Sequence, residues 1–111
     1  MIRATALLLG GALLVGCTPS AAPRPVAADH VELPRSYRFE PTAIVVPVGT
    51  TVTWTNNDQF THSVRLSGEP NLVLRPGDSA TFTFDMPGTY EYDCSFHAQA
   101  MRGTVIVEAH E

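Results

Sequence analysis

Apolar and polar residues alternate along much of the chain after residue 30, in short segments separated by turns. In segment 51–55, threonines alternate with Val52 and Trp54, which places both apolar side chains on one face of a predicted strand. Turns rich in proline and glycine are predicted at 47–50, 75–78 and 86–88. The pattern predicts an all-β Greek-key β-sandwich of about six to eight strands, with no long helix. Its expected core aromatics are Trp54, Phe82, Phe84 and Tyr92.

The first residues have a different pattern. A short basic start, Met1 to Arg3, precedes an apolar stretch from Ala4 to Val15 that is too short to span a bilayer as a helix. It ends in the sequence Leu-Val-Gly-Cys at 14–17, which matches the bacterial lipobox at each of its four positions. In such signals the cysteine becomes the first mature residue and is lipid-modified. This predicts a signal peptide over 1–16 and lipidation of Cys17, the alternative being an ordinary signal peptide with an incidental cysteine.

Residues 17–30 are rich in proline and alanine and have no apolar periodicity, so they are predicted to form a tether between the lipidated Cys17 and the folded part. The folded domain is predicted over 31–111. We therefore expect an exported protein, anchored by lipid in the bacterial cell envelope on the periplasmic or outer-surface side of a membrane.

The length and charge of the chain narrow its possible functions. Its 111 residues leave room for one small domain. Seven arginines and no lysine stand against eleven acidic residues, giving a formal net charge of −4 at pH 7. This balance argues against a nucleic-acid partner. No run of like charges marks a docking surface, and we expect a monomer.

Four residues carry side chains that bind soft metal ions. Cys94, His97 and Met101 lie within one short segment, and His62 stands 32 residues before the cysteine. Thiolate and thioether sulfur suit Cu(I), imidazole suits both copper states, and two histidines with one cysteine form a trigonal plane with a weak axial methionine. If Cys17 is acylated, Cys94 is the only thiol left, and copper would protect it in an oxidising compartment. The donors predict a single copper ion that carries electrons.

Longer stretches around these donors strengthen this prediction. They are Pro-Val-Gly at 47–49, Val-Thr-Trp-Thr-Asn-Asn-Asp at 52–58, Thr-His-Ser-Val at 61–64, Pro-Gly-Thr-Tyr-Glu-Tyr-Asp-Cys at 87–94 and Met-Arg-Gly-Thr-Val-Ile-Val at 101–107. Together they resemble the cupredoxins, or type 1 blue copper proteins, of the plastocyanin, amicyanin and pseudoazurin group. The resemblance covers about residues 36–108. It implies that His62 and His97 are the imidazole ligands, Cys94 the thiolate and Met101 the axial thioether.

The chain departs from these relatives at three places. Three residues separate His97 from Met101, where relatives with the short cysteine–histidine spacing usually have two or four; Met101 is therefore either the axial ligand or a core residue. Ser63 follows His62 where relatives often have an asparagine that braces the cysteine loop, and we expect the serine hydroxyl to replace it. Phe96 stands where several relatives have proline, and its backbone N–H is predicted to donate to the Cys94 sulfur and to raise the reduction potential.

The resemblance implies electron transfer to and from redox proteins near the same membrane. His97 is expected to show its ring edge to solvent, inside a small apolar patch made by Phe60, Pro70, Ala98 and Ala100. Because all four donor positions belong to the protein, none is left for a substrate, and we do not expect an enzyme. His30 and His110 are predicted to be solvent-exposed and not to bind metal.

Two other functions stay open at this stage. A copper carrier or buffering protein of the cell envelope would use similar donors, but it would expose them and would be expected to have further methionine or histidine residues. A metal-free interaction module would leave the four donors as coincidence. A visible spectrum recorded after addition of Cu(II) separates all three, because only the electron carrier should give an intense, stable thiolate-to-copper band.

Overall fold

The computed structural model describes residues 10–11 and 24–110. The predicted cleavage site, Cys17 and the first part of the predicted tether lie outside the described residues. The described residues form nine strands: β1 Val26–Ala27, β2 His30–Leu33, β3 Ala43–Pro47, β4 Thr50–Asn56, β5 His62–Leu66, β6 Leu72–Leu74, β7 Ser79–Phe84, β8 Gly88–Asp93 and β9 Arg102–Glu108. The described part of the chain contains no helix, and so none that is long and apolar enough to cross a membrane.

The strands make two sheets. The larger has the order β1-β3-β9-β8-β5-β6, and the smaller has the order β2-β4-β7. β3 pairs in parallel with β9, and β2 pairs in parallel with β4, so the chain must cross between sheets rather than return by hairpins alone. The predicted all-β sandwich is confirmed, with nine strands in place of the six to eight expected.

The sheet begins earlier than the sequence indicated. Val26 and Ala27 pair in parallel with Ile44 and Val45, and β2 begins at His30, although residues 17–30 were predicted to be tether. Both residues of β1 are exposed. A two-residue strand that buries no side chain has no apolar periodicity, and sequence pattern therefore could not reveal it.

The core lies between the two sheets, and aromatic rings pack against one another within it. Trp54 from β4 contacts Tyr92 from β8 edge-on, with ring centroids 5.4 Å apart, and Phe39 contacts the other side of Tyr92 at 4.7 Å. Trp54, Phe84 and Tyr92 are buried as predicted, whereas Phe82, two residues before Phe84 on β7, is only half-buried. Burial raises the pKa of Tyr92, and the nearby Trp54 indole N–H opposes this rise.

Candidate metal centre

Neighbouring strands bring two of the predicted donors together. β5 begins at His62, and Cys94 follows the last residue of β8; the two strands pair antiparallel through Arg65 and Asp93. The start of β5 therefore lies beside the end of β8, at what we call the donor end of the sandwich. There the Cys94 Sγ is 3.9 Å from the His62 Nδ1, and both side chains are fully buried.

The segment between Cys94 and β9 folds into a tight turn. The His97 N–H donates to the Cys94 carbonyl at 3.1 Å, and the N–H groups of Ala100 and Met101 donate to the His97 carbonyl at 3.0 and 2.9 Å. The Cys94 N–H in turn donates to the Met101 carbonyl at 3.1 Å. The unusual three-residue spacing thus closes as one helix-like turn, and it returns Met101, fully buried, to the side of Cys94.

A buried carboxylate orients His62. The His62 Nε2 is 2.8 Å from the Asp58 Oδ2, and the other Asp58 oxygen accepts the Gln59 N–H at 2.7 Å. Asp58 is only 5% exposed. The hydrogen bond with His62 lowers the pKa of Asp58, although burial acts in the opposite direction. Because the carboxylate favours a proton on Nε2, the lone pair of Nδ1 faces the sulfur.

Asp58 was missed as a functional residue by sequence reasoning, which gave it only as part of the stretch 52–58 that carries the family resemblance. Asn56 holds this loop in place: its side-chain oxygen accepts the Asp58 N–H at 2.9 Å, and its amide donates to the carbonyls of Phe60 and Leu74. The available signal was a carboxylate four residues before a candidate histidine ligand.

Ser63 joins the two segments that carry Cys94 and His62. Its backbone N–H donates to the Cys94 sulfur at 3.3 Å, and its hydroxyl accepts the Ser95 N–H at 2.8 Å. Asn71 adds a hydrogen bond to the Ser95 hydroxyl at 3.0 Å. From the sequence, the Phe96 N–H was predicted to be the backbone donor to the Cys94 sulfur. The structure gives this bond to Ser63 instead, and none from the Phe96 N–H reaches the sulfur among the described residues.

His97 lies at the surface of the donor end, half-buried, with its ring centroid 5.8 Å from that of His62. Tyr37, from the loop between β2 and β3, contacts the ring of His97 at 4.5 Å and that of His62 at 5.7 Å. It also stacks on Phe60 at 5.9 Å. Sequence reasoning missed this contact, because no sequence pattern reports where a loop side chain packs.

The remaining predicted neighbours and histidines are at the surface. Phe60, Pro70 and Ala100 are exposed, and Ala98 is half-buried. His30 is an exposed residue that pairs with Glu32 and is within hydrogen-bonding distance of the Thr55 hydroxyl.

The spacing of the donors fits one transition-metal ion. Metal–nitrogen and metal–thiolate bonds are about 2.0–2.3 Å long, so a separation of 3.9 Å suits two donors that share an ion. An imidazole bound at such a distance has its ring centre about 3 Å from the ion, and 5.8 Å between ring centres is compatible with both rings binding it. Among the described residues, no group of three or more His, Cys, Asp or Glu side chains is placed so that it could already hold a metal ion. Cys94 and His62 are two candidate donors whose atoms lie close enough together to share one ion.

Known proteins share this architecture. The matching family model is described as a cupredoxin-like domain and spans residues 6–107. Amicyanin-alpha of Methylorubrum extorquens is 30% identical over 104 residues, which cover 87% of this chain and 86% of the relative. The solved structure of a purple cupredoxin from Nitrosopumilus maritimus has a TM-score of 0.67 at 30% identity, over 73% of this chain and 100% of that one. A Cu(I) form of an amicyanin mutant has a TM-score of 0.64 at 32% identity, over 71% of this chain and 80% of that one. These similarities confirm the resemblance predicted from the sequence, and the chain belongs to the cupredoxin-like family.

Proposed function

We propose that the protein is a one-electron carrier that holds a single copper ion between His62, Cys94, His97 and Met101. The observation that carries the proposal is the buried pair of Cys94 Sγ and His62 Nδ1, 3.9 Å apart, with the second His62 nitrogen held by Asp58. One thiolate, one thioether and two imidazoles form the donor set that suits copper in both of its common oxidation states. When bound, copper supplies a centre that gains or loses one electron.

The protein around these donors favours electron transfer over substrate chemistry. Cys94 and His62 are fixed by paired strands, and the turn that carries His97 is closed by backbone hydrogen bonds at each end. A framework of this kind holds the ligands still while the charge of the ion changes. The four donors are all protein side chains, so none of the expected coordination positions is assigned to a substrate.

The surface and the N-terminal segment complete the proposal. His97 is the one half-buried member of the set, so electrons enter and leave through its side of the domain. The apolar residues beside it suit brief docking by another redox protein, since weak redox encounters bury small areas. We propose that this partner lies at the same membrane, where lipid on Cys17 anchors the chain, exported and monomeric, on the periplasmic or outer-surface side.

A copper carrier or buffer is the second candidate, favoured by the partial exposure of His97. A carrier must release its ion to a partner, and an accessible ligand assists that exchange. His62, Cys94 and Met101 are fully buried, however, which favours retention of the ion. Electron transfer is therefore the better-supported function.

Addition of Cu(II) to the purified chain tests the proposal. The electron carrier should give an intense thiolate-to-copper band and a reversible one-electron wave in voltammetry. Cys94→Ser should abolish the band, whereas His30→Ala should leave it unchanged. A weak band with rapid loss of copper to a chelator would support the carrier instead, and a band that persists in Cys94→Ser would refute the ligand set.

A further inference from the structure

The loop between β2 and β3 carries two residues in an unfavourable backbone conformation. Ser36 has φ of 92° and Tyr37 has φ of 51°, both in the left-handed region that side chains other than glycine rarely adopt. Such conformations persist only where the surrounding structure enforces them, and they cluster at functional sites. Here the enforced conformation directs the Tyr37 ring onto the donor end.

The flanks of this loop are firmly held. Glu32 and Glu40 exchange two backbone hydrogen bonds of 2.8 Å across its base, and Leu33 and Phe39 are buried in the core on either side. The loop therefore has fixed ends and a defined tip. Tyr37 lies at this tip, in a loop whose two ends are held in place.

The Tyr37 ring contacts both candidate imidazole ligands. It meets His97 at 4.5 Å between centroids, with an interplanar angle of 63°, and it meets His62 edge-on at 5.7 Å and 90°. Edge-to-face ring pairs at about 4.5–7 Å are attractive. Tyr37 is itself 38% exposed, whereas His62 is fully buried, so the Tyr37 ring forms part of the surface above the two histidines.

The contact depends on the ring and not on the hydroxyl. The contacts of Tyr37 with His62, His97 and Phe60 are all made by its ring, and Phe60 stacks on that ring with an interplanar angle of 21°. A phenylalanine at position 37 should therefore fill the same place.

We propose that Tyr37 is a positioning residue of the metal centre, whose ring holds the His97 imidazole in place and limits the access of water to the two histidines. The proposal rests on the function proposed above, because it assigns His97 a metal to bind. Cys94 and His62 are already fixed by strands, so His97 is the ligand whose orientation needs an outside support. Without the ring, His97 should move more freely and copper should leave more readily.

The first test uses the full chain without metal. Chemical modification by diethyl pyrocarbonate, followed by mass spectrometry, measures how accessible each histidine is. Tyr37→Ala should raise the modification rate of His97 several-fold, and Tyr37→Phe should leave it unchanged. His30 and His110, both exposed, serve as internal references in every variant. Met86→Ala is the matched control, because it removes a side chain that is 70% exposed and lies just before β8, at the end of that strand away from Cys94.

The second test uses the copper-loaded chain and measures the rate at which a chelator removes the ion. Tyr37→Ala should lose copper about tenfold faster than the wild type, as is typical when a residue that orients a metal ligand is removed. Tyr37→Phe and Met86→Ala should match the wild type. If Tyr37→Ala does not fold, Tyr37→Gly replaces it, because glycine accepts the backbone angle at this position.

Unchanged His97 modification and unchanged copper loss in the ring-deleted variant would overturn the proposal, since the ring would then only pack. A Tyr37→Phe variant that behaves like Tyr37→Ala would also overturn it, because the hydroxyl would be the active part. Failure of the proposed function is distinguishable: the wild type would then give no thiolate-to-copper band, while the metal-free experiment would still report on Tyr37 and His97.

Discussion

Among the single residues of the site, Asp58 has the contact that bears most directly on metal binding. A free histidine exchanges its proton between the two ring nitrogens, and only the nitrogen without a proton can bind a metal. The 2.8 Å contact between Asp58 and the His62 Nε2 selects the form in which Nδ1 faces the Cys94 sulfur. His62 therefore has an unprotonated Nδ1, the form that can bind a metal, before an ion is present.

Removal of this carboxylate should weaken copper binding. We expect Asp58→Ala to bind copper about 10- to 100-fold less tightly than the wild type, measured by competition with a chelator of known affinity. Asp58→Asn keeps an oxygen that can accept the Nε2 proton and should lie closer to the wild type. Asp85→Ala removes an exposed carboxylate elsewhere and should have no effect. An Asp58→Ala affinity equal to that of the wild type would show that His62 needs no orienting partner.

The donor set is proposed from residue type and spacing, and these could not indicate the contacts that support the donors. Cys94, His97 and Met101 stand close in the sequence, and their soft or borderline chemistry identifies the metal. The donor to the sulfur is a backbone N–H, which every residue except proline carries, so residue identity could not choose Ser63 over Phe96. That choice depends on how β5 lies against the end of β8.

The pairing of β5 with β8 is the structural element that holds His62 beside Cys94. Across this pair, the Arg65 Nε and Nη2 donate to the two Asp93 oxygens at 2.7 and 2.9 Å. The hydrogen bond from Arg65 is the main cause that lowers the pKa of Asp93. Both side chains are partly exposed, so water and salt reduce the strength of this ion pair.

This ion pair predicts a pH-dependent contribution to stability in the metal-free chain. Asp93 has a lower pKa in the folded state than its ordinary value of 3.8, so its contribution is fully present above that pH and is lost as pH falls through the folded value. Arg65→Gln should lower the urea midpoint modestly at pH 7, and the difference from the wild type should vanish in strong acid. Arg38→Gln, which breaks an exposed pair within one loop, is the control. A difference that persists below the folded pKa would point to lost packing instead.

The pairing of β8 with β9 depends on a close approach of a ring to a glycine. Gly103 faces Tyr92 across the strands, and a Cβ at position 103 would lie only 2.3 Å from the Tyr92 Cζ. Tyr92 is held between Trp54 and Phe39, so the ring has little room to retreat. The glycine is thus required by packing rather than by backbone conformation.

Gly103→Ala should therefore lower the free energy of unfolding by about 1–3 kcal/mol, measured by urea denaturation of the metal-free chain. The penalty should be smaller when Tyr92→Leu is also present, because leucine does not reach across the glycine. Such non-additivity identifies the ring as the cause. An equal penalty in both backgrounds would place the cause in the backbone of β9.

For the molecule as a whole, the alternation of apolar and polar residues predicted strands that bury side chains in the core and missed a strand that buries none. β4 buries Val52 and Trp54 on one face, and the alternation in segment 51–55 predicted this strand. β1 buries nothing, so it was assigned to the tether. The approach of the Tyr37 loop to the histidines depends on two left-handed backbone positions that no residue preference indicated. The fold was therefore predictable, whereas contacts made by loops were not.

The two proposed functions, membrane anchoring and metal binding, each use a different cysteine. Cys17 lies in the N-terminal segment, with a sequence that predicts lipid attachment, and Cys94 lies in the folded domain as a buried free thiol. Because the proposed anchor and the proposed metal centre use different cysteines, each should be removable without loss of the other. The reciprocal pair of serine variants tests this division within one experiment.

In a bacterial host supplied with labelled fatty acid, the wild type should take up the label and sediment with membranes, because lipidation supplies the attachment. Cys17→Ser should lose both properties and keep the thiolate-to-copper band. Cys94→Ser should keep the label and the membrane fraction but lose the band. If the wild type takes up no label, the cysteine at position 17 is incidental to an ordinary signal peptide. If Cys17→Ser also loses the band, the N-terminal segment contributes to the metal centre, and the division between the two cysteines is wrong.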